Sequence, residues 1–212
     1  MRAGMAAGSY DALTRVERVI GYRNGMGQLV YGINCSLDGY IETADHSLDW
    51  ADVDEEVHTW FNDRSREAGA FLYGTRMYET MAGFWPSGET DPASTPAMRD
   101  FARIWNATPK VVFSSSLDAL VAGCRLATGD IGDEVASLRR EVDGELQVGG
   151  AALAASFLER RLVDVVRLVV HPVVLGGGTR VFAERLGRVA LRRIETRSFA
   201  NGAVYLGYEV VR

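Results

Sequence analysis

The apolar positions of this chain fall into short runs separated by segments of helical period. Gln28 to Cys35, Ala68 to Tyr73, Lys110 to Phe113, Glu145 to Val148 and Val165 to Leu175 are compact apolar, β-leaning runs, with a shorter one at Gly123 to Thr128. Between them, apolar side chains recur at three and four residues. Val57, Trp60 and Phe61 mark a helix over Asp54 to Glu67, and Met98, Phe101, Ile104 and Trp105 mark one over Pro96 to Thr108. Thr75 to Met81, Asp130 to Glu141 and Ala151 to Arg161 complete the helical set, the last carrying Leu153, Phe157 and Leu158. After Gly176-Gly177-Gly178, two runs at Ala190 to Ser198 and Ala203 to Val211 flank Asn201-Gly202, a strong hairpin signal. Strands alternating with helices and ending in a hairpin predict an α/β fold, a mostly parallel sheet with an antiparallel edge.

With 212 residues, 47% hydrophobic and 24% charged, the chain suits one globular domain, taken as residues 27–212. Residues 1–26 differ in texture. They lack the apolar core of a secretory signal, and Leu13, Val16, Val19 and Ile20 suit a short amphipathic helix over residues 10–22. This extension reads as a mobile arm or an oligomer contact, and Met26 as an alternative start. A net charge of -5 leaves no basic footprint for nucleic acid. No apolar run reaches the roughly 20 residues of a membrane span, so a soluble cytoplasmic protein is expected. Cys35 and Cys124 fit neither a disulfide framework nor a metal spacing. His46, His58 and His171 are scattered, with His171 read as a packed residue whose ring is satisfied. No metal motif and no GxSxG elbow are present.

Three predicted strand ends carry polar or flexible residues: Gly74-Thr75-Arg76, Ser114-Ser115-Ser116 and Gly149-Gly150. In an open α/β sheet ligands bind at the carboxyl ends of the strands. A helix starting there aims free N–H groups outward, and glycines let a phosphate approach them. Arg76 supplies a cationic fork and the serines short hydroxyl donors. Each corner alone has a plainer reading, a sharp turn or a solvated loop. Together they point to a dinucleotide or phosphorylated ligand. The redox half would lie by Ile33 to Ile41 and the loop to Trp50, with Glu55, Glu56 and His58 as candidate proton donors and Trp50 and Trp85 as cleft walls.

The segments YGINCSLDGYI, FLYGTRMYE, VVFSSSL, QVGGAALAASFL and LVVHPVVLGGGTRVF, in this order, resemble the dihydrofolate-reductase superfamily. The similarity is closer to the reductase domain of bacterial riboflavin-biosynthesis enzymes and covers Gln28 to Arg212. It implies a three-layer α/β/α fold binding NADPH. By resemblance, Gly74, Thr75, Arg76 and Met77 would support the cofactor phosphates, and Ser114 and Ser115 would lie near the adenosine 2′-phosphate. Gly149, Gly150, Ala151 and Ala152, flanked by Val148 and Leu153, would lie against the pyrophosphate. Ile33, Asn34 and Ile41 would border the nicotinamide. A homodimer is implied as well.

The chain departs from the family pattern G-R-x-T-Y, with Thr75 in the Arg place and Met77 in the Thr place. This weakens the preference for NADPH and leaves NADH or a deazaflavin open. Val57 stands where folate enzymes carry an acid, so an authentic dihydrofolate reductase is not expected. The leading expectation is an NADPH-dependent reductase transferring hydride to a small carbonyl, imine or pterin-like substrate. Asp38 would organise the active-site loop, Asn34 would make a polar contact near the hydride, and Ser36 is a further candidate. The alternative is a nucleotide- or ligand-binding protein of the same fold with a degraded site.

Overall fold

The computed structural model describes residues 27–212; the expected N-terminal helix and the extension it belongs to lie outside the described residues. The elements run β1 (Leu29–Ser36), β2 (Tyr40–Glu42), α1 (Glu55–Ser65), β3 (Ala68–Gly74), α2 (Thr75–Phe84), α3 (Pro96–Ala107), β4 (Lys110–Phe113) and β5 (Cys124–Leu126). They continue α4 (Ile131–Glu141), β6 (Glu145–Gly149), α5 (Ala151–Glu159), β7 (Val165–His171), β8 (Thr179–Arg180), β9 (Ala190–Ser198) and β10 (Val204–Val211). Eight strands form one sheet in the order β5-β4-β3-β6-β1-β7-β10-β9, while β2 and β8 form a separate ribbon. The first six of that order are mutually parallel, and β10 and β9 are antiparallel.

Parallel strands covered on both faces read as continuous apolar runs, and that is how the central strands were legible. On one face Leu29, Tyr31, Leu72 and Leu146 pack with Val135 and Leu138 of α4 and with Ala154 and Phe157 of α5. On the other, Phe71, Tyr73 and Val112 meet Tyr78 of α2 and Trp105 of α3. Val169 and Tyr205 meet Val57 and Trp60 of α1 on that same side. The result is a three-layer α/β/α arrangement. β3 and β6 are sheet neighbours, yet their following helices, α2 and α5, pack on opposite faces. Adjacent strands that send their helices apart leave a crevice at their carboxyl ends, where α/β ligands bind.

The helix starts follow side-chain chemistry. Asp54, Thr95 and Asp130 cap α1, α3 and α4 by accepting from Val57, Met98 and Gly132 N–H groups. α2 and α5 start at Gly74 and Gly150 with no side-chain cap.

Two details differ from the sequence expectation. β7 stops at His171 rather than Leu175, because Pro172 has no N–H to continue a ladder. Val174 beyond it is 68% exposed despite its apolar character. The β9–β10 connection is a three-residue loop of Ala200, Asn201 and Gly202, not a two-residue turn. Phe199 N–H donates to Ala203 O at 2.9 Å, and within the loop only Gly202 has a positive φ, 88°. Asn201 instead uses its amide to reach Asp52 O at 2.7 Å.

The sheet edges are unlike its centre. β5 has three residues, and β9 is mostly exposed, carrying Arg192, Arg193, Glu195 and Arg197. No helix among the described residues is long and apolar enough to cross a membrane.

Candidate active-site cleft

The crevice between α2 and α5 opens into a cleft of about 1060 Å³. Gly74, Thr75, Arg76 and Met77 line it from α2, and Gly149 through Leu153 line it from the β6–α5 corner. Because neither helix has a side-chain cap, their first N–H groups are left for solvent or a ligand, and both helix dipoles place their positive ends here. Gly150 adopts φ 95°, ψ 133°, a conformation that disfavours any residue with a Cβ. A Cβ on Gly149 would lie 2.9 Å from the Tyr73 ring. This corner is a bare-backbone cradle suited to a phosphate group.

At the opposite wall, Ile33, Asn34 and Ile41 reach the cleft, as do Trp50 and Trp85. Asn34 Oδ1 lies 2.9 Å from His171 Nε2. An amide oxygen only accepts, so His171 carries its proton on Nε2, and its Nδ1 is buried without a partner. The ring expected to be satisfied is therefore half satisfied, and burial lowers its pKa. Trp50, also with an unpartnered buried Nε1, meets the His171 ring edge-on at 5.7 Å.

Asp38 and Ser36 do not line the cleft. Ser36 is buried, donates to Asp38 Oδ1 at 2.7 Å and accepts from Tyr40 N–H. Asp38 also accepts from the Leu175 and Gly176 N–H groups at 3.1 and 2.8 Å. The Ser36 hydroxyl, aided by these amides, holds the Asp38 carboxyl at a pKa of about 2. Asp38 thus ties the β1–β2 turn to the loop after β7, which makes it a loop organiser set back from the ligand space.

Ser114 accepts from the Thr75 hydroxyl at 2.8 Å, so the first and second corners meet beside the cleft, while neither Ser114 nor Ser115 lines it and Ser115 is exposed. Val148 packs in the core with Leu146 and borders a smaller adjoining cavity.

Arg76 is not a free cation. Its Nη2 donates to Glu42 Oε1 at 2.5 Å. Glu42, buried in β2, also accepts from the Thr179 hydroxyl of β8 and has His46 Nδ1 at 3.0 Å. Arg76 Nη1 lies 3.2 Å from that same nitrogen, which can serve only one of the two at a time. Burial pushes the Glu42 pKa up, but the Thr179 and His46 hydrogen bonds and the Arg76 charge outweigh it and leave it below the usual range. Sequence reasoning missed Glu42 and Thr179.

Of the three candidate proton donors, only His58 lines the cleft. Glu55 accepts from Ala97 N–H, and Glu56 from Arg197 and Ala200. The His58 ring sits by Trp85 and Phe101, with centroids 6.1 and 6.2 Å away, and burial lowers its pKa.

Comparison with known proteins places this geometry in a lineage. The sequence profile of the RibD C-terminal domain matches residues 28–205. The uncharacterized Bacillus subtilis protein YyaP is 28% identical over 182 residues, spanning 85% of this chain and 94% of that protein. A Shewanella protein described provisionally as a riboflavin biosynthesis protein superimposes with a TM-score of 0.71 at 23% identity, over 88% of this chain and 100% of its own. Dihydrofolate reductase from Enterococcus faecalis, solved with NADP(H), superimposes with a TM-score of 0.59 at 14% identity, over 88% of this chain and 98% of its own. The profile match extends through the cleft-forming corners, and the chain belongs to the RibD C-terminal domain family.

Proposed function

We propose that this chain is an NAD(P)H-dependent reductase acting on a small carbonyl, imine or pterin-like substrate. The observation that carries this reading is the pair of uncapped helix N-termini, α2 at Gly74 and α5 at Gly150, opening from adjacent strands into one cleft. A dinucleotide's pyrophosphate suits two such termini, and the Gly149-Gly150 cradle, which a Cβ would fill, suits its close approach. When bound, the reduced nicotinamide supplies a hydride to an electrophilic carbon.

The chain's own residues would do the rest. Gly149, Gly150, Ala151 and Ala152 bind the phosphates, and Thr75 and Ser114 offer hydroxyls toward the adenosine end. Ile33, Asn34 and Ile41 border the ring, with Asn34 oriented by His171. Trp50 and Trp85 exclude water from the cleft walls. Reduction of a C=O or C=N bond also consumes a proton. Glu42 and Arg76 are bound to each other, whereas His58 lines the cleft and is in no ion pair among the described residues, so it is the side chain placed to deliver that proton, from the fraction of the protein in which its ring is protonated against its lowered pKa. Because Glu42 matches the Arg76 charge, NADPH is expected to be favoured over NADH only modestly.

Titration with NADPH and NADH, followed by energy transfer from tryptophan to the reduced nicotinamide, tests the cofactor assignment. Saturable binding supports it, and no binding up to millimolar concentration overturns it. Turnover on a carbonyl and pterin panel should then fall as pH rises through the His58 pKa, and His58→Gln should remove that limb and about 10²–10⁴ of the rate. Binding without turnover would favour a second reading, a ligand-binding protein of the same fold. The engagement of Arg76 by Glu42 is the observation that favours it.

A further inference from the structure

Three side chains from separate parts of the chain converge on one carboxylate oxygen, Glu42 Oε1. Arg76 Nη2 of α2 donates to it at 2.5 Å, the Thr179 hydroxyl of β8 donates as well, and His46 Nδ1 lies 3.0 Å away. Glu42 and Arg76 line the cleft, whereas His46 stands behind them with a side chain 59% exposed.

The loop after β2 fixes the His46 ring. His46 has φ 66°, left-handed backbone that few residues other than glycine adopt. Its N–H donates to Thr43 O at 3.0 Å, and the Ser47 N–H closes the turn on Thr43 Oγ1 at 2.9 Å. Such a conformation persists where the surroundings hold it. Here it sets Nδ1 between Glu42 Oε1 at 3.0 Å and Arg76 Nη1 at 3.2 Å.

Those two neighbours ask opposite things of one nitrogen. Toward Glu42 it must donate; toward Arg76, which has no acceptor, it must accept. A neutral ring with its proton on Nε2 leaves a lone pair on Nδ1. Arg76 is then gripped on both arms, Nη2 by Glu42 and Nη1 by His46. A protonated ring carries N–H on both nitrogens, so Nδ1 can only donate to Glu42. Arg76 Nη1 then loses its acceptor and faces a second cation across a shared carboxylate. Of the two partners Arg76 is the one able to swing away, its side chain being 55% exposed against 9% for Glu42. Neighbouring charges do not cancel this change. Asp45, held below the usual carboxylate range by the Thr43 hydroxyl, stays charged throughout, and Arg180 of β8 is engaged by the Tyr40 ring and Glu184.

We propose that His46 is a proton-operated positioning residue for Arg76: without its second proton it locks the guanidinium against Glu42, and with it the guanidinium is released to an anionic group of the ligand in the cleft. Imidazole is the side chain whose charge changes between pH 5 and 8. Anions should therefore bind more tightly as pH falls, and by reciprocity a bound anion should favour the protonated ring. That the anionic group is a dinucleotide phosphate rests on the reductase reading; the control of Arg76 does not.

The test uses sulfate, whose own charge is constant over this range, titrated into the full chain at pH 5 and pH 8.5 at fixed ionic strength. The ring protons of the three histidines are followed by NMR. Sulfate should bind about five-fold more tightly at pH 5, the low end of coupling between sites, because the cluster is partly exposed. Saturating sulfate should raise the titration midpoint of His46 by about 0.7 of a pH unit, the same five-fold read from the other side. His46→Asn keeps a residue that tolerates left-handed backbone and hydrogen-bonds through its amide, but it has no proton to gain. It should lose most of the five-fold, which a merely structural role would leave in place. His58 and His171 are unchanged in that variant, so their protonation does not account for the loss.

The control of Arg76 is overturned if sulfate binds equally at both pH values or at neither, if the His46 midpoint does not move, or if His46→Asn keeps the pH dependence. Should His46→Asn fail to fold, the midpoint shift in the parent chain decides. NADPH and NADH binding, measured in parallel, keeps the two readings apart. Absence of nucleotide binding beside the expected sulfate pattern sinks the reductase reading and leaves the role of His46 standing; nucleotide binding with a pH-independent sulfate affinity does the reverse.

Discussion

Arg76 Nη2 and Glu42 Oε1 lie 2.5 Å apart, joining the first turn of α2 to the β2–β8 ribbon at the wall of the cleft. The two ends of this link are unequally placed: the Glu42 side chain is 9% exposed and that of Arg76 is 55% exposed. Glu42 is further anchored by Thr179, and the ribbon is drawn tight at Gly178, where a Cβ would strike the Glu42 carbonyl. The carboxylate is therefore the fixed partner and the guanidinium the movable one. An anion that recruits Arg76 must draw it away from Glu42.

Glu42→Gln should strengthen NADPH binding about five-fold, the size of a modest ion pair released from competition. The gain should shrink in high salt, where the parent pair is itself screened. Parallel titrations of the two proteins at low and high ionic strength check this, and weaker binding by the variant would contradict it.

Gly150→Ala should destabilise the fold by about 1–3 kcal/mol, since φ 95° is costly for an L side chain and the new methyl would sit 3.3 Å from Met77 Cβ. Gly83→Ala is the matched control. Gly83 is inside α2 with nothing near its would-be Cβ, and alanine there should stabilise by about 0.8–1 kcal/mol. Urea denaturation of both variants should move the midpoint in opposite directions.

Glu145→Gln should cost about 3–5 kcal/mol, because it leaves the buried Arg167 guanidinium without its carboxylate. Replacing both partners, Glu145→Leu with Arg167→Met, should recover most of that loss. The comparison of single and double variants by chemical denaturation separates a lost partner from a lost charge pair.

His171 makes stability fall on the acid side. Its folded pKa is depressed by burial, so above the ordinary value of 6.5 the ring is neutral in both states and its contribution is complete. As pH falls through 6.5 and on toward the lower folded value, the unfolded chain takes up a proton that the folded one resists, and stability drops. His58 acts with the same sign. The urea midpoint should decline from pH 7 to pH 5, and His171→Gln should flatten part of that slope.

Much of the frame was readable from local chemistry. Asp54, Pro96 and Asp130 announced three helix starts, and the central strands announced themselves by being apolar on both faces. The glycine corners were visible because strand, glycine and helix follow one another directly. The links that shape the cleft were not visible, since they join distant residues. Glu42 reaches Arg76 across 34 positions and Thr179 across 137, and Asp38 reaches Gly176 across 138. The end of β7 was overrun because Val173 to Leu175 stay apolar after leaving the ladder.

The two margins of the sheet carry a consequence for how copies of this chain meet. One margin is only three residues long, and the other displays Arg192, Arg193, Glu195 and Arg197 along a nine-residue strand. Neither offers the long, flat, uncharged row of backbone groups that templates a neighbouring chain. Concentrated solutions should therefore resist runaway polymerisation through intermolecular β-pairing.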